Sequence, residues 1–472
     1  MSFIDVIIML IYFGMIVFVG YLGSKRATTS EEYMVAGRNL GMFMYLGCLA
    51  AVILGGASTI GTARLGYEFG ISGIWLVTML GIGIATLGIF LAKKIAGLNV
   101  LTISQMLEVR YNKQTGLISA IVAAIYAMMV AVTQIIGIGT ILNVLLEWNL
   151  TLSMLLGGGI VLFYTMLGGM WSVTMTDIIQ FVVMTIGVFF IMFPMSLWKA
   201  GGFEALQTQL PESYLNIASI GGDRIFQYLL LFGLGMVVAQ DIWQRIFTAK
   251  TIKIARQGTI YAGIYSLLYA IVVAIIGMCA FIVIPNLNST QNTFAAMAIT
   301  ILPNGILGLV LAAVVSALMS TYSGTLLASS TLISNDIIKS FFMPNISEKQ
   351  FLKVSRIITF LIGTLTIIFA LWIQDVLVAL DVAYAVLSGA VFFPIVLGFF
   401  WKRATAKAAF YSIISSTVVV LAGLAIEGIT STNPILYGMA TSFIIIIVVS
   451  LLDFSNQKQV STDEDLEKKK FA

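Results

Sequence analysis

Residues 317–331 read Ala-Leu-Met-Ser-Thr-Tyr-Ser-Gly-Thr-Leu-Leu-Ala-Ser-Ser-Thr inside an otherwise apolar run. Ser320 and Thr321 stand three and four residues after Ala317, which puts them on one face of a helix. A carbonyl freed at Ala317 and the two hydroxyls make three hard, neutral oxygen ligands. Two more carbonyls from an unwound stretch near Leu54 complete five. Neutral oxygens suit Na+ better than a divalent ion, which calls for carboxylates. Ser329, Ser330 and Thr331 read as hydroxyls that return to their own helix. Asp177 begins an apolar run, where a carboxylate either favours a helix N-terminus or carries a cation or proton. The chain has no histidine, which removes His-based triads and HExxH zinc sites. It also lacks a phosphate-binding GxxxxGK[ST] loop. Cys48 and Cys279 lie in apolar stretches and read as apolar filler.

The elements that position these residues must be membrane helices. Of 472 residues, 60% are hydrophobic and 10% charged, with a mean hydropathy of +1.03; a soluble domain carries about a quarter charged. No basic stripe marks a nucleic-acid surface. A crossing needs about 20 mostly apolar residues, and thirteen runs qualify, near 4–23, 42–69, 73–92, 117–145, 150–170, 177–197, 224–247, 257–285, 305–334, 357–374, 376–400, 408–426 and 433–452. The first is longer than a signal-peptide core and has its positive charge after it, at Lys25 and Arg26, so it reads as a retained span. With the N-terminus outside, all but Arg64, Lys199 and Arg224 of the 25 Lys and Arg residues fall in or beside inward-facing segments. This asymmetry supports both the count and the orientation. The C-terminus is then cytoplasmic, and its tail from 453 reads as solvated and disordered.

Two spans carry polar or glycine breaks: Leu54-Gly55-Gly56-Ala57-Ser58-Thr59 in the second and Gly233-Leu234-Gly235 in the seventh. Taken singly, small residues in a span allow close helix packing. Together they head two consecutive groups of five spans, and because five is odd the groups enter from opposite sides. That is the arithmetic of an inverted repeat with a midplane site built on unwound backbone.

With these landmarks in order the chain resembles the sodium:solute symporter family. The resemblance rests on the 31–38 segment Glu-Glu-Tyr-Met-Val-Ala-Gly-Arg and the small-residue break at 50–61. It rests further on Gly168-Gly169-Met170-Trp171 with Thr176-Asp177-Ile178-Ile179-Gln180, and on Gln240-Asp241-Ile242-Trp243-Gln244-Arg245. Ala317-x-x-Ser320-Thr321, Asp336-Ile337 and Phe399-Phe400-Trp401-Lys402-Arg403 complete it. It implies an all-α integral membrane protein of the LeuT-like type: thirteen transmembrane helices, a five-plus-five inverted repeat, one extra helix before it and two after. The halves fall at 41–200 and 201–404, preceded by a first span and linker at 1–40 and followed by accessory spans at 405–452 and a tail at 453–472. It further implies a coupling Na+ held by the carbonyls of Ala51, Leu54 and Ala317 and the hydroxyls of Ser320 and Thr321. Asp177 matches an aspartate that in some members serves a second Na+ with hydroxyls supplied where Ser323 and Gly324 stand here. Gly324 has no hydroxyl, a departure that weakens a second site.

Substrate would sit beside the first break, which makes Ser58, Thr59, Gln134, Gln227, Tyr228, Asp381 and Tyr384 candidates. Each also reads as an ordinary interhelical hydrogen-bond residue. Arg64 either pairs with Glu68 four residues on or draws an anionic solute into an outer vestibule. The expected activity is sodium-coupled uptake of a small organic solute by alternating access, in the cell membrane of a bacterium. No enzymatic role and no obligatory protein partner is expected. Proton coupling through Asp177 or Asp381 is the alternative. A sensor built on a transporter-like domain is more remote, since 20 residues of tail are too few to fold alone.

Overall fold

The computed structural model describes residues 2–98 and 100–453, so the 454–472 stretch of the expected tail lies outside the described residues. All regular structure among them is helical, and eleven helices are long and apolar enough to cross a membrane. Most of these begin at a polar cap that accepts a free backbone N–H: Ser2, Asn112, Asn149, Thr251, Ser347, Asp375 and Thr405 each do so. Caps of this kind close the donors a helix start leaves open. The outer faces carry Phe18, Ile82, Phe190, Leu268 and Ile444 exposed, the surface expected of a protein solvated by lipid.

Thirteen crossings were expected against eleven helices. Two of the eleven are long composite runs. Ala57–Phe90 has 34 residues and Leu150–Ala200 has 51, about 51 and 77 Å at 1.5 Å per residue, where one crossing takes about 30 Å. Each contains a glycine in a conformation closed to other residues, Gly70 (φ 64°, ψ −140°) and Gly169 (φ 52°, ψ −140°). At Gly169 a Cβ would run into the backbone carbonyl of Tyr33, so both dihedral and space demand glycine there.

The second span is broken where expected. Its first arm, Met42–Ile53, ends at Leu54 (φ −93°, ψ 38°), and a π-helical turn, Ala57–Gly61, starts the second arm. The seventh span is also broken, but not at Gly233-Leu234-Gly235. Those residues belong to a π-helical turn, Leu229–Gly233, and the helix Leu234–Val237. The chain leaves helical geometry at Val238 (φ −120°, ψ 15°) and Ala239 (φ −77°, ψ 122°) before the short helix Gln240–Thr248. The two glycines serve close packing instead: Gly233 presents its carbonyl to Gly83, and Gly235 lies under Tyr384 and Ser388. The start of the second span and the end of the seventh are joined by backbone, Leu40 N–H to Thr248 O at 2.9 Å and Lys250 N–H to Leu40 O at 3.0 Å.

The hydroxyl helix, Ile306–Thr331, is the axis of the molecule: every residue from Val310 to Thr331 is buried. It is anchored by the first span, whose Asp5 carboxylate accepts the N–H groups of Gly305 (2.6 Å) and Gly308 (2.9 Å). That caps the helix from outside its own chain segment and complements its dipole. Tyr12 and Ser316 add a side-chain hydrogen bond one span-half deeper.

Candidate cation and solute site

Interrupting a helix in a membrane frees backbone groups that cannot turn to water. At the second-span break side chains take them up. Gln134 Oε1 accepts Gly56 N–H at 2.6 Å, Ser58 donates to Ile53 O at 2.7 Å, and Thr59 contacts Leu54 O at 3.4 Å while bonding the Tyr269 hydroxyl at 2.7 Å. Thr321 donates to Val52 O at 2.7 Å and approaches Ala317 O on its own helix at 3.2 Å. This bond sets the hydroxyl helix directly against the unwound backbone, a juxtaposition that spacing along the chain leaves open. The contact is made through Val52, one residue beyond Ala51. Gly55 is required here, because a Cβ would strike Thr321 and Gln134.

Beside this contact lies a cavity of about 20 Å³ lined by Ser58, Gln134, Thr321, Tyr384, Met236 and Asp241, among others. Three of the expected substrate residues, Ser58, Gln134 and Tyr384, thus meet at one place. The others are engaged elsewhere. Gln227 accepts from Thr432 at 2.5 Å, tying the seventh span to an accessory helix. Asp381 pairs with Arg224 at 3.0 Å, and that guanidinium lies over the Tyr228 ring. Arg64 binds Glu68 at 3.0 Å and also Asp375 at 3.2 Å, linking the second arm of the second span to the start of Val376–Phe400. Its guanidinium is committed to two carboxylates, so the vestibule role in drawing in anions has no support from this geometry.

Asp177 is not a helix cap. The helix restarts just after Gly169, two turns before it; the run expected to open at 177 opens earlier because glycine, not polarity, marks the boundary. Its carboxylate sits fully buried in a cluster drawn from four spans. It accepts from Ser320 Oγ at 2.5 Å and from the Cys48 thiol at 3.0 Å, and pairs with Arg245 at 3.0 Å. The pair is almost wholly out of solvent, with side-chain exposures of 1% for Arg245 and 0% for Asp177. Arg245 donates further to the carbonyls of Cys48 and Asp241. Its guanidinium lies flat on Gly324, where any Cβ would collide with it. Ser323 donates back to Ser320 O at 3.0 Å rather than reaching Asp177.

A model of the sodium:solute symporter family matches residues 33–415. The chain belongs to the sodium:solute symporter family. Among curated relatives it is 26% identical over 473 residues to a sodium/glucose cotransporter of Vibrio parahaemolyticus, covering 88% of this chain and 84% of that one. It is 28% identical over 418 residues to a sodium/pantothenate symporter of Haemophilus influenzae, covering 85% and 86%. A high-affinity proline transporter of Bacillus subtilis is 26% identical, covering 92% and 95%. The fold is shared with a Na+-coupled sialic acid symporter solved substrate-bound and outward-open, at a TM-score of 0.81 and 21% identity, covering 96% and 98%. Mhp1, a nucleobase-cation-symport-1 family transporter in a closed conformation, follows at a TM-score of 0.60 and 15% identity, covering 93% and 98%.

Against this family background the cluster around Asp177 differs from the expected pair of Asp177 and Ser323. A guanidinium on Gly324 takes the place a second hydroxyl would need. Three participants were not among the expected site residues. By sequence Arg245 stands beside an inward-facing segment, and its burial is a tertiary fact; its trace in the sequence is an arginine four residues after an aspartate in Gln-Asp-Ile-Trp-Gln-Arg. Cys48, read as filler, is a thiol donor. Asp241 lines the cavity.

Proposed function

We propose that this symporter carries a small organic solute inward across the bacterial cell membrane, coupled to Na+, and that the ion is held where Thr321 meets the broken second span. The observation that carries the ion assignment is the 2.7 Å approach of Thr321 Oγ1 to Val52 O, with Ala317 O and the Ser320 hydroxyl on the same helical face. These are neutral oxygens in a dry interior, suited to a monovalent hard cation. Leu54 and Ala51 border the same break. Asp177 acts on the site through Ser320.

The two composite runs are each read as two crossings, divided at Gly70 and Gly169. That gives thirteen, with the N-terminus outside and the C-terminus inside, in keeping with the Lys and Arg distribution. The halves 41–200 and 201–404 form the inverted repeat, and breaks at Leu54–Gly56 and Val238–Ala239 are its corresponding points. Proton coupling through Asp177 or Asp381 is disfavoured, because each carboxylate is paired with an arginine.

The test is uptake into proteoliposomes against an imposed Na+ gradient, with Ser320→Ala and Thr321→Ala. Each is expected to raise the Na+ concentration needed for half-maximal uptake. A Ser320→Ala/Thr321→Ala protein with unchanged sodium dependence would remove the ion from this place.

A further inference from the structure

The buried charges around the cavity do not balance. Asp177 and Asp241 are both inside the membrane domain, at 0% and 3% exposure, while Arg245 is the one guanidinium among them and forms its ion pair with Asp177. An unpaired carboxylate at this depth is costly and marks a functional group. Asp241 lies on the cavity wall. Its one side-chain partner is the Tyr126 hydroxyl at 3.3 Å, a long contact, and that hydroxyl also lies 3.1 Å from Tyr384. Position near the start of Gln240–Thr248 gives the carboxylate help from the helix dipole and from the N–H groups of Asp241 and Ile242, and the counter-charge near it, Arg245, is shared with Asp177.

What surrounds Asp241 tells which cation suits it. Tyr126 and Tyr384 meet edge-on with centroids 5.0 Å apart, and Phe232 stands edge-on to Tyr384 at 5.2 Å. Of these rings Tyr384 faces the cavity, beside Met236, whose sulfur lies 3.6 Å from the Tyr384 hydroxyl. Aromatic rings and a thioether are soft, polarisable surfaces that attract organic cations, whereas Na+ calls for several hard oxygens. The hard oxygens, Val52 O, Thr321 Oγ1 and Ala317 O, gather at the break. The polar groups on that side, Ser58 and Gln134, are already spent on backbone. The cavity thus has an oxygen-bearing side at Thr321 and a side where Asp241 stands with Tyr384 and Met236, Tyr126 and Phe232 packing behind Tyr384.

We infer that Asp241 anchors a positively charged nitrogen on the carried solute, so that the solute is an amine: a quaternary ammonium, a primary or secondary amine, or an amino acid bound through its ammonium group. The inference rests on the sodium-coupled reading above. It assigns the ion and the solute to separate groups, Thr321 and Ser320 for the one and Asp241 for the other.

The experiment separates the two. Purified full-length protein is followed by thermal shift in NaCl and in KCl, with choline, proline and putrescine as amine probes. Dimethylbutanol and cyclopentanecarboxylate serve as the isosteres of choline and proline that lack the charged nitrogen. At least one amine is expected to stabilise the protein in NaCl while its isostere does not, a comparison that needs no variant. Asp241→Asn is expected to keep the stabilisation by NaCl alone and to weaken the amine about a hundredfold, within the range for removing one partner of a buried charge pair; Asp241→Glu retains part of it. The inference is overturned if isosteres bind as well as amines, if no amine binds, or if Asp241→Asn removes the response to NaCl without solute, which would make the carboxylate an ion ligand. Absence of any NaCl response in the wild-type protein, or its persistence in Ser320→Ala/Thr321→Ala, strikes the sodium assignment instead.

Discussion

Asp177→Asn keeps the shape of the side chain and removes its charge, which isolates what the buried ion pair contributes. Arg245 would be left with the carbonyls of Cys48 and Asp241 and no carboxylate in contact. Removing one partner of a buried pair costs about 3–5 kcal/mol, chiefly because the remaining charge is stranded. Arg245→Met strands the carboxylate in turn, though Ser320 and Cys48 still donate to it, so its cost belongs at the lower end of that range. The double variant strands nothing. It is expected to be more stable than the sum of the two single losses by about 1–3 kcal/mol, a coupling typical of contacting residues. The assay is equilibrium unfolding of the purified protein in detergent micelles, the four proteins side by side. Losses that add to within about 0.5 kcal/mol would refute the reasoning, since independent sites add that closely; the two groups would then not be paired.

Two further substitutions test the frame around the site. Gln134→Leu orphans the buried Gly56 N–H that now sits 2.6 Å from Gln134 Oε1 and is expected to cost about 1–3 kcal/mol in the same unfolding assay; a loss below about 0.5 kcal/mol would show that the N–H has another acceptor. Arg64→Gln breaks two partly exposed pairs, with side-chain exposures of 26–37%, and is expected to change stability by less than about 1 kcal/mol. The preference of uptake among acidic, neutral and basic solutes should stay as it is, and a selective loss of acidic solutes would restore the vestibule role.

The membrane class was legible because hydrophobic run length is a local property, and the hydroxyl helix because side chains at i, i+3 and i+4 share a face wherever the helix lies. The break at Leu54–Gly56 was legible for the same reason, as a glycine pair beside hydroxyls. The seventh-span break was misplaced because glycine has two uses in membranes. Gly233 and Gly235 admit neighbouring helices, while the real departure falls at Val238–Ala239, which carry no special local signal. Asp177 was misread as a span start because the boundary is set by the positive-φ geometry of Gly169, eight residues before it. Arg245 was out of reach altogether. Its charge says surface, and only the packing of Gly324 beneath the guanidinium and Asp177 beside it makes burial tolerable.

The direction of the hydroxyl protons separates Ser320 from Thr321. Ser320 gives its proton to Asp177 at 2.5 Å, which leaves its lone pairs facing away from the carboxylate and makes its oxygen more negative, as in any chain of hydrogen bonds. Arg245 and Cys48 hold the carboxylate in place for that task. Thr321 gives its proton to Val52 O, one of the carbonyls a cation at the break would use. On the proposed assignment a cation would find Ser320 already poised and would have to turn the Thr321 hydroxyl, trading a hydrogen bond across the break for a shared ion. That exchange would couple ion binding to the contact between the hydroxyl helix and the second span. It would also give Asp177 a part in ion binding without making it a ligand: its charge is balanced by Arg245, and its influence would reach the site through Ser320.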